Sequence, residues 1–266
     1  MAETLALLIV DPQRDFCDPQ GALYVGGAER DMDRLAEFVR RQGAGIRAIH
    51  VTLDSHHPVD VAHPAYWRDA DGHQPAPFTL ISAAEVESGR WRTADPAWQA
   101  RALDYVRALE ARQRYQLCIW PPHCLIGSPG HAVAPVLFDA LADWERERLR
   151  PVQYVLKGDN IHTEHYSAVQ AEVPDPADPG TQRNRGLVDA LRRADRVIVA
   201  GEAGSHCVAN TVRDLIVARA GGAVDPARIT LLQDAVSPVA GFETFQEDFL
   251  RDLTGQGMAL ARTTDL

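Results

Sequence analysis

Long apolar runs, paired cysteines and an excess of positive charge are all missing from this 266-residue sequence. No stretch approaches the ~18 consecutive apolar residues of a membrane-spanning helix. The run LALLIV near the start is too short for the core of a secretory leader, lacks a basic lead-in and ends in an aspartate. It reads as a strand, and the chain as cytoplasmic. Basic side chains number 27 against 37 acidic, a formal charge of -10. Phosphate backbones and anionic lipid surfaces demand clustered Lys and Arg, so neither nucleic acid nor membrane is an expected partner. The two cationic runs, RLAEFVRR and WERERLR, interleave charge with apolar or acidic residues, as solvated helix faces do. The four cysteines, Cys17, Cys118, Cys124 and Cys207, form no C-x-x-C pair and no ladder of spacings. A zinc knuckle and a disulfide scaffold are thereby excluded, and reduced thiols are expected.

What is present is an ordinary globular composition, 45% hydrophobic and 24% charged, organised in alternation. Six short apolar runs, at 5–10, 46–51, 115–120, 153–157, 196–201 and 229–234, are rich in Val, Ile and Leu like strands buried on both faces. Segments of helical spacing lie between them, for instance ERDMDRLAEFVRRQ, in which Met32, Leu35, Phe38 and Val39 share a face. Strands alternating with helices predict a parallel sheet covered on both sides, an α/β fold. Residues 64–96 are too long for an ordinary loop and read as a lid or a small subdomain; residues 173–186 are turn chemistry throughout. Both segments are candidates to border a pocket. No repeat or clear linker interrupts the chain, which predicts one domain over 1–266 with insertions at 64–96 and 173–186.

In open parallel sheets ligands bind beyond the carboxyl ends of the strands. Five of the six runs end there on a chemically capable residue: Asp11, then Asp54 with His56, then Trp120 with His123, then Lys157, then the stretch GEAGSHC with Cys207. Roles unrelated to one site would scatter along strands and helices instead. The stretch CVANTVRDLIVARAGG reads as a helix, with Val208, Val212, Leu215, Ile216 and Arg219 in helical spacing and Gly221-Gly222 closing it. Cys207 then sits in the first turn, where unpaired N–H groups and the helix dipole favour a thiolate. Lys157 is expected to lower the thiol pKa further and Asp11 to take its proton during attack. The same N–H groups offer an oxyanion hole. Asp54 and His56, two residues apart on an extended chain, face the same side, and His123 completes an O, N, N set open to water or substrate. His63 is a candidate fourth or water-mediated ligand. The turn after the first strand, DPQRDF, has no glycine fingerprint, which argues against a dinucleotide.

The pieces LLIVDPQRDF, VTLDSHHP, WPPHCLIGSPG, VLKG, YSA at 166–168 and VAGEAGSHCV stand in an order that resembles the nicotinamidases, a branch of the isochorismatase-like cysteine hydrolases. The resemblance spans residues 5 to about 240. It implies a three-layer α/β/α fold with a six-stranded parallel sheet and a triad of Asp11, Lys157 and Cys207. It also implies a divalent ion, zinc or else iron or manganese, held by Asp54, His56 and His123, with His63 as a further ligand. Phe16 and Trp120 correspond to walls of the substrate pocket. A cis Glu202–Ala203 bond is implied, turning the Ala203 and Cys207 N–H groups toward the oxyanion. The implied activity is hydrolysis of a carboxamide, nicotinamide first, to carboxylate and ammonia through a thioester. A related hydrolase acting on another amide, a carbamoyl or a vinyl-ether group stays open, as do a non-catalytic metabolite-binding relative and self-association into a homo-oligomer. The chain departs from the family pattern at Gly204, Ser205 and His206 before the nucleophile, and in His162, Glu164 and His165, which are expected on a solvated loop or else lining the pocket.

Overall fold

The computed structural model describes residues 4–217 and 222–266. Six parallel strands make one sheet: β1 (Leu5–Val10), β2 (Ile46–Asp54), β3 (Gln153–Lys157), β4 (Arg196–Gly201), β5 (Ile229–Leu232) and β6 (Ala259–Ala261). Their spatial order is β6-β5-β4-β1-β2-β3. The chain lays β2 and β3 on one side of β1 and β4 to β6 on the other, so a topological switch falls between β1 and β4. Helices cover both faces of this sheet, giving three layers. Helix α1 (Ala28–Gln42) packs on α3 (Pro135–Arg148), and α5 (Cys207–Ile216) packs on α6 (Glu243–Thr254). Helices α2 (Gln99–Ala111) and α4 (Arg185–Arg192) complete the set used below. Leu7, Leu8, Ile9 and Val10 are fully buried, as expected of a central strand walled on both faces.

The fold class read from the sequence holds, but one strand was assigned wrongly. The run YQLCIW contributes only Leu117–Cys118, antiparallel to Leu80–Ile81 and outside the main sheet. Leu117, Cys118, Ile119 and Trp120 are nevertheless buried, and an apolar run reports burial rather than sheet membership. The sixth place is taken by β6, three residues at the sheet edge with two of them exposed, a pattern too short to signal a strand. Helix α5 is also shorter than expected. Val217 is extended (φ -76°, ψ 117°), so the helix stops before the Gly221-Gly222 closure. Arg219 and Gly221 lie outside the described residues.

Residues 64–96 are structured. Trp67–Arg68 pairs antiparallel with Arg92–Thr93, and a short helix, Ala83–Glu87, starts on a Ser82/Glu85 capping box. Trp67 and Tyr66, within this excursion, are fully buried. Residues 173–186 do not line the pocket that holds Cys207. They tie instead to neighbouring segments: Asp175 pairs with Arg101 of α2 at 2.7 Å, and Asn160 Nδ2 donates to Asp178 at 2.7 Å.

Candidate active site

Register puts the reactive groups side by side. Val10 lies opposite Gly201 and Asp54 opposite Lys157, so four strand ends deliver their next residues to one spot. Two glycines permit the closeness. A Cβ on Gly201 (φ +111°) would fall 2.1 Å from the Val10 carbonyl oxygen, and one on Gly158 (φ +90°) would fall 3.1 Å from Asp54 Oδ1. Asp11 itself adopts φ +44°, which turns the chain out of β1 and into the crevice.

The Lys157 ammonium, fully buried, is the hub. Its Nζ lies 2.8 Å from Asp11 Oδ2 and 2.9 Å from Asp54 Oδ1, donates to the His165 carbonyl at 2.9 Å, and lies 3.7 Å from Cys207 Sγ. One oxygen each of Asp11 and Asp54 and the Cys207 sulfur are within 4.8 Å of one another. Burial works against the ammonium, but the carboxylates of Asp11 and Asp54 outweigh it and hold the Lys157 pKa well above the usual lysine range. Burial raises the Asp11 pKa against the pull of Lys157, which leaves this carboxyl readier to hold a proton than an exposed aspartate.

The Cys207 thiol departs from its expected state. Burial pushes its pKa well above the ordinary thiol value; Lys157 pulls it down, but Asp11 and Asp54 push it up again. The expected lowering is reversed because two carboxylates and a dry pocket outweigh one ammonium and a helix start. Cys207 is therefore held as a thiol, with a carboxylate oxygen of Asp11 within 4.8 Å of its sulfur. The Glu202–Ala203 peptide bond is cis. The Ala203 carbonyl accepts from the His206 and Val208 N–H groups at 3.0 and 3.1 Å. Among the described residues, no acceptor meets the N–H of Ala203 or of Cys207.

Asp54 joins this group to a second one. His56 Nε2 lies 3.1 Å and His123 Nε2 3.5 Å from Asp54 Oδ2. His56, His63 and His123, all buried, bring one ring nitrogen each within 4.8 Å of one another. Their Nδ1 atoms are engaged elsewhere: His56 with Asp60 Oδ2 at 3.1 Å, His63 with the His57 carbonyl at 3.2 Å and His123 with the Pro121 carbonyl at 2.9 Å. A carbonyl only accepts, so His63 and His123 carry hydrogen on Nδ1, while His63 Nε2 lies 3.4 Å from His123 Nδ1 and His123 Nε2 faces Asp54 Oδ2. Burial, with His123 and His56 adding to it, lowers the His63 pKa to about 2, which keeps that ring neutral as ligation requires. Burial opposes protonation of His56, but Asp54 and Asp60 overcome it and raise the His56 pKa well above normal. A proton thus compensates two carboxylates where a cation would do so. Three imidazole nitrogens with anchored N–H groups and one carboxylate oxygen fit a divalent first-row ion.

A narrow pocket with a cavity volume of about 30 Å³ runs up to both groups. Phe16, Trp120, Tyr166 and His206 form its aromatic wall, and Asp54, His123, Glu164 and Cys207 its polar side. Trp120 Nε1 donates to the Tyr166 hydroxyl at 3.1 Å, fixing both rings. A wider groove at the amino ends of the strands is lined by Arg47, Arg150 and Arg193, with no thiol or carboxylate among its described lining residues.

Every residue singled out from the sequence is thus found here: Asp11, Lys157, Cys207, Ala203, Phe16, Trp120, Asp54, His56, His63 and His123. Three supporting residues escaped the sequence reading. Thr52 Oγ1 donates to Asp11 Oδ1 and accepts from the Asp11 N–H at 3.0 Å. Gln13 clamps the Asp54 backbone, donating to its carbonyl and accepting from its N–H, both at 2.7 Å. Asp60 orients His56. Thr52 was legible in principle, being two residues before Asp54 on the same strand face. Glu164 and His165, expected on a solvated loop or else lining the pocket, are buried.

No protein-family model matches the chain, and no curated protein matches it. Solved structures do. A nicotinamidase/pyrazinamidase from Acinetobacter baumanii superposes with TM-score 0.66 at 22% identity, covering 99% of this chain and 98% of the other. The yeast nicotinamidase gives TM-score 0.66 at 18% identity, over 97% and 99%. A pyrazinamidase from Pyrococcus horikoshii, solved in complex with zinc, gives 0.57 at 20%, over 97% and 98%. This chain shares their fold from end to end.

Proposed function

We propose that the chain is a metal-assisted cysteine amidohydrolase of the nicotinamidase type, in the isochorismatase-like hydrolase family, cleaving a carboxamide to carboxylate and ammonia in the cytoplasm. Nicotinamide is the first substrate to test. The observation that carries the reading is the contact of one buried ammonium with Asp11, Asp54 and the Cys207 sulfur at the end of an aromatic pocket.

The substrate ring lies between Phe16 and Trp120 with its carboxamide at Cys207. Sγ forms a bond to the carbonyl carbon as Asp11 removes the thiol proton, and the Ala203 and Cys207 N–H groups receive the oxyanion. Asp11 returns the proton to nitrogen; the C–N bond breaks and ammonia leaves, giving a thioester on Cys207. Water then adds to the thioester with its proton going to Asp11. The C–S bond breaks, Cys207 recovers its proton and the carboxylate departs. Lys157 holds Asp11 and Asp54 in place and offsets the charge that builds on the sulfur. Asp54, His56, His123 and His63 would hold a divalent ion, which supplies a Lewis-acidic point for a lone pair of the substrate ring. The fold shared with a zinc-bound pyrazinamidase supports that assignment.

The test is ammonia release from nicotinamide and a panel of aliphatic and aromatic amides by protein loaded with zinc, iron or manganese. Hydrolysis that vanishes in Cys207→Ala is expected. No release from any amide, or equal release by the variant, would sink the reading.

A further inference from the structure

The Glu164 carboxyl belongs to neither buried group. It lines the pocket beside Asp54, His123 and Cys207, with the residue 3% exposed. Its Oε1 accepts from the His165 N–H at 3.0 Å, while Oε2, buried, has no hydrogen-bond partner among the described residues. The four contacts of Lys157 Nζ, to Asp11, Asp54, the His165 carbonyl and Cys207, do not include it. Neither the histidine group nor the set of Asp11, Asp54 and Cys207 that comes within 4.8 Å includes it. Its backbone is pinned on both sides: the Glu164 N–H donates to the Tyr105 hydroxyl at 3.2 Å, and its carbonyl accepts from the Glu172 N–H at 2.8 Å. A buried oxygen without a partner is unfavourable unless something that enters the pocket satisfies it. A rigidly held acceptor then discriminates strongly, because a ligand lacking the matching donor leaves it unpaired.

We propose that Glu164 selects the substrate, accepting a hydrogen bond from an N–H or O–H group carried on the acyl part of the amide. The inference rests on the amidohydrolase reading above and narrows it to aromatic amides with a donor substituent in addition to the carboxamide. Glu164 is a specificity residue, with no part in bond making.

The experiment compares kcat/KM for pairs of nicotinamides that carry either an amino or a methyl group at each free ring position, with wild type, Glu164→Gln and Glu164→Leu. At one position the wild type is expected to favour the amino compound over the methyl one by about tenfold or more. Glu164→Gln, which keeps an acceptor oxygen, retains part of that preference, and Glu164→Leu abolishes or reverses it. Bound metal, measured by elemental analysis, stays equal across the three proteins. Equal rates for amino and methyl compounds at every position, or an unchanged ratio in Glu164→Leu, overturn the inference alone. A uniform loss across all amides, or loss of metal from Glu164→Leu, assigns the carboxyl to the carboxamide or to the ion and also overturns it. No turnover of any amide by the wild type overturns the amidohydrolase reading and this inference together.

Discussion

Two buried groups meet at Asp54 and differ in what completes them. On its Oδ1 side the Lys157 ammonium sits 2.9 Å away and supplies the positive charge from within the chain. On its Oδ2 side His56 and His123 approach at 3.1 and 3.5 Å, with His63 beside them and Asp60 behind, and among the described residues no lysine or arginine enters the set. On the proposed reading the thiol is thus served by an internal cation, whereas the histidine side is arranged for a cation from solution. Substitutions on the lysine side are expected to be beyond repair by added metal, and those on the histidine side to respond to it.

The largest effect is expected at the sulfur. Cys207→Ala should lower amide turnover on the order of 10⁵-fold at every metal concentration, with the thermal midpoint of unfolding retained. Next is the hub. Lys157→Met leaves Asp11 and Asp54 as buried acids without their counter-ion, and urea unfolding should show a loss of about 3–5 kcal/mol. The Lys157 pKa is raised in the folded state, so its stabilisation is full at neutral pH, fades once pH rises above the ordinary lysine value and is gone beyond the raised one. On the histidine side, Asp60→Asn should weaken metal binding by about 10–100-fold in a chelator competition, and excess metal should restore activity. Failure of metal to separate the two classes of variant would erase the distinction.

The smallest effect is in pH and stability. Burial lowers the His206 and His165 pKa values from 6.5 to about 3, so acid favours the unfolded chain. Burial raises Glu164 and Glu172 from 4.5 to about 7, so between those values acid favours the folded chain. The two pairs oppose each other between pH 6.5 and 4.5, and only the histidines act between 4.5 and 3. As pH falls from 6.5 to 3, the urea midpoint of metal-free His206→Phe should fall less steeply than that of the metal-free wild type.

How much of this was legible follows from which physics sets each feature. The strand ends carrying Asp11, Asp54, Lys157 and Cys207 could be read because apolar runs stop abruptly at polar residues, and parallel topology gathers such ends on one edge. The run at 115–120 misled because burial under the 64–96 excursion produces the same apolar signature as a sheet strand. β6 was invisible because edge strands need no apolar face. Charge normally means exposure, which favours a solvated loop over pocket lining for Glu164; the loop after Lys157 instead folds inward, with its backbone tied to Tyr105 and Glu172. The thiol was placed correctly, but its ionisation was judged from the helix start and the lysine alone. Its two carboxylate neighbours are visible only in three dimensions.

The most direct test is intact-protein mass spectrometry of enzyme rapidly quenched during turnover of nicotinamide or another hydrolysed amide. A mass increase equal to one acyl group, mapping to the peptide that contains Cys207 and absent from Cys207→Ala, is the predicted result. Turnover with the acyl group on another residue, or undiminished in Cys207→Ala, would contradict the account.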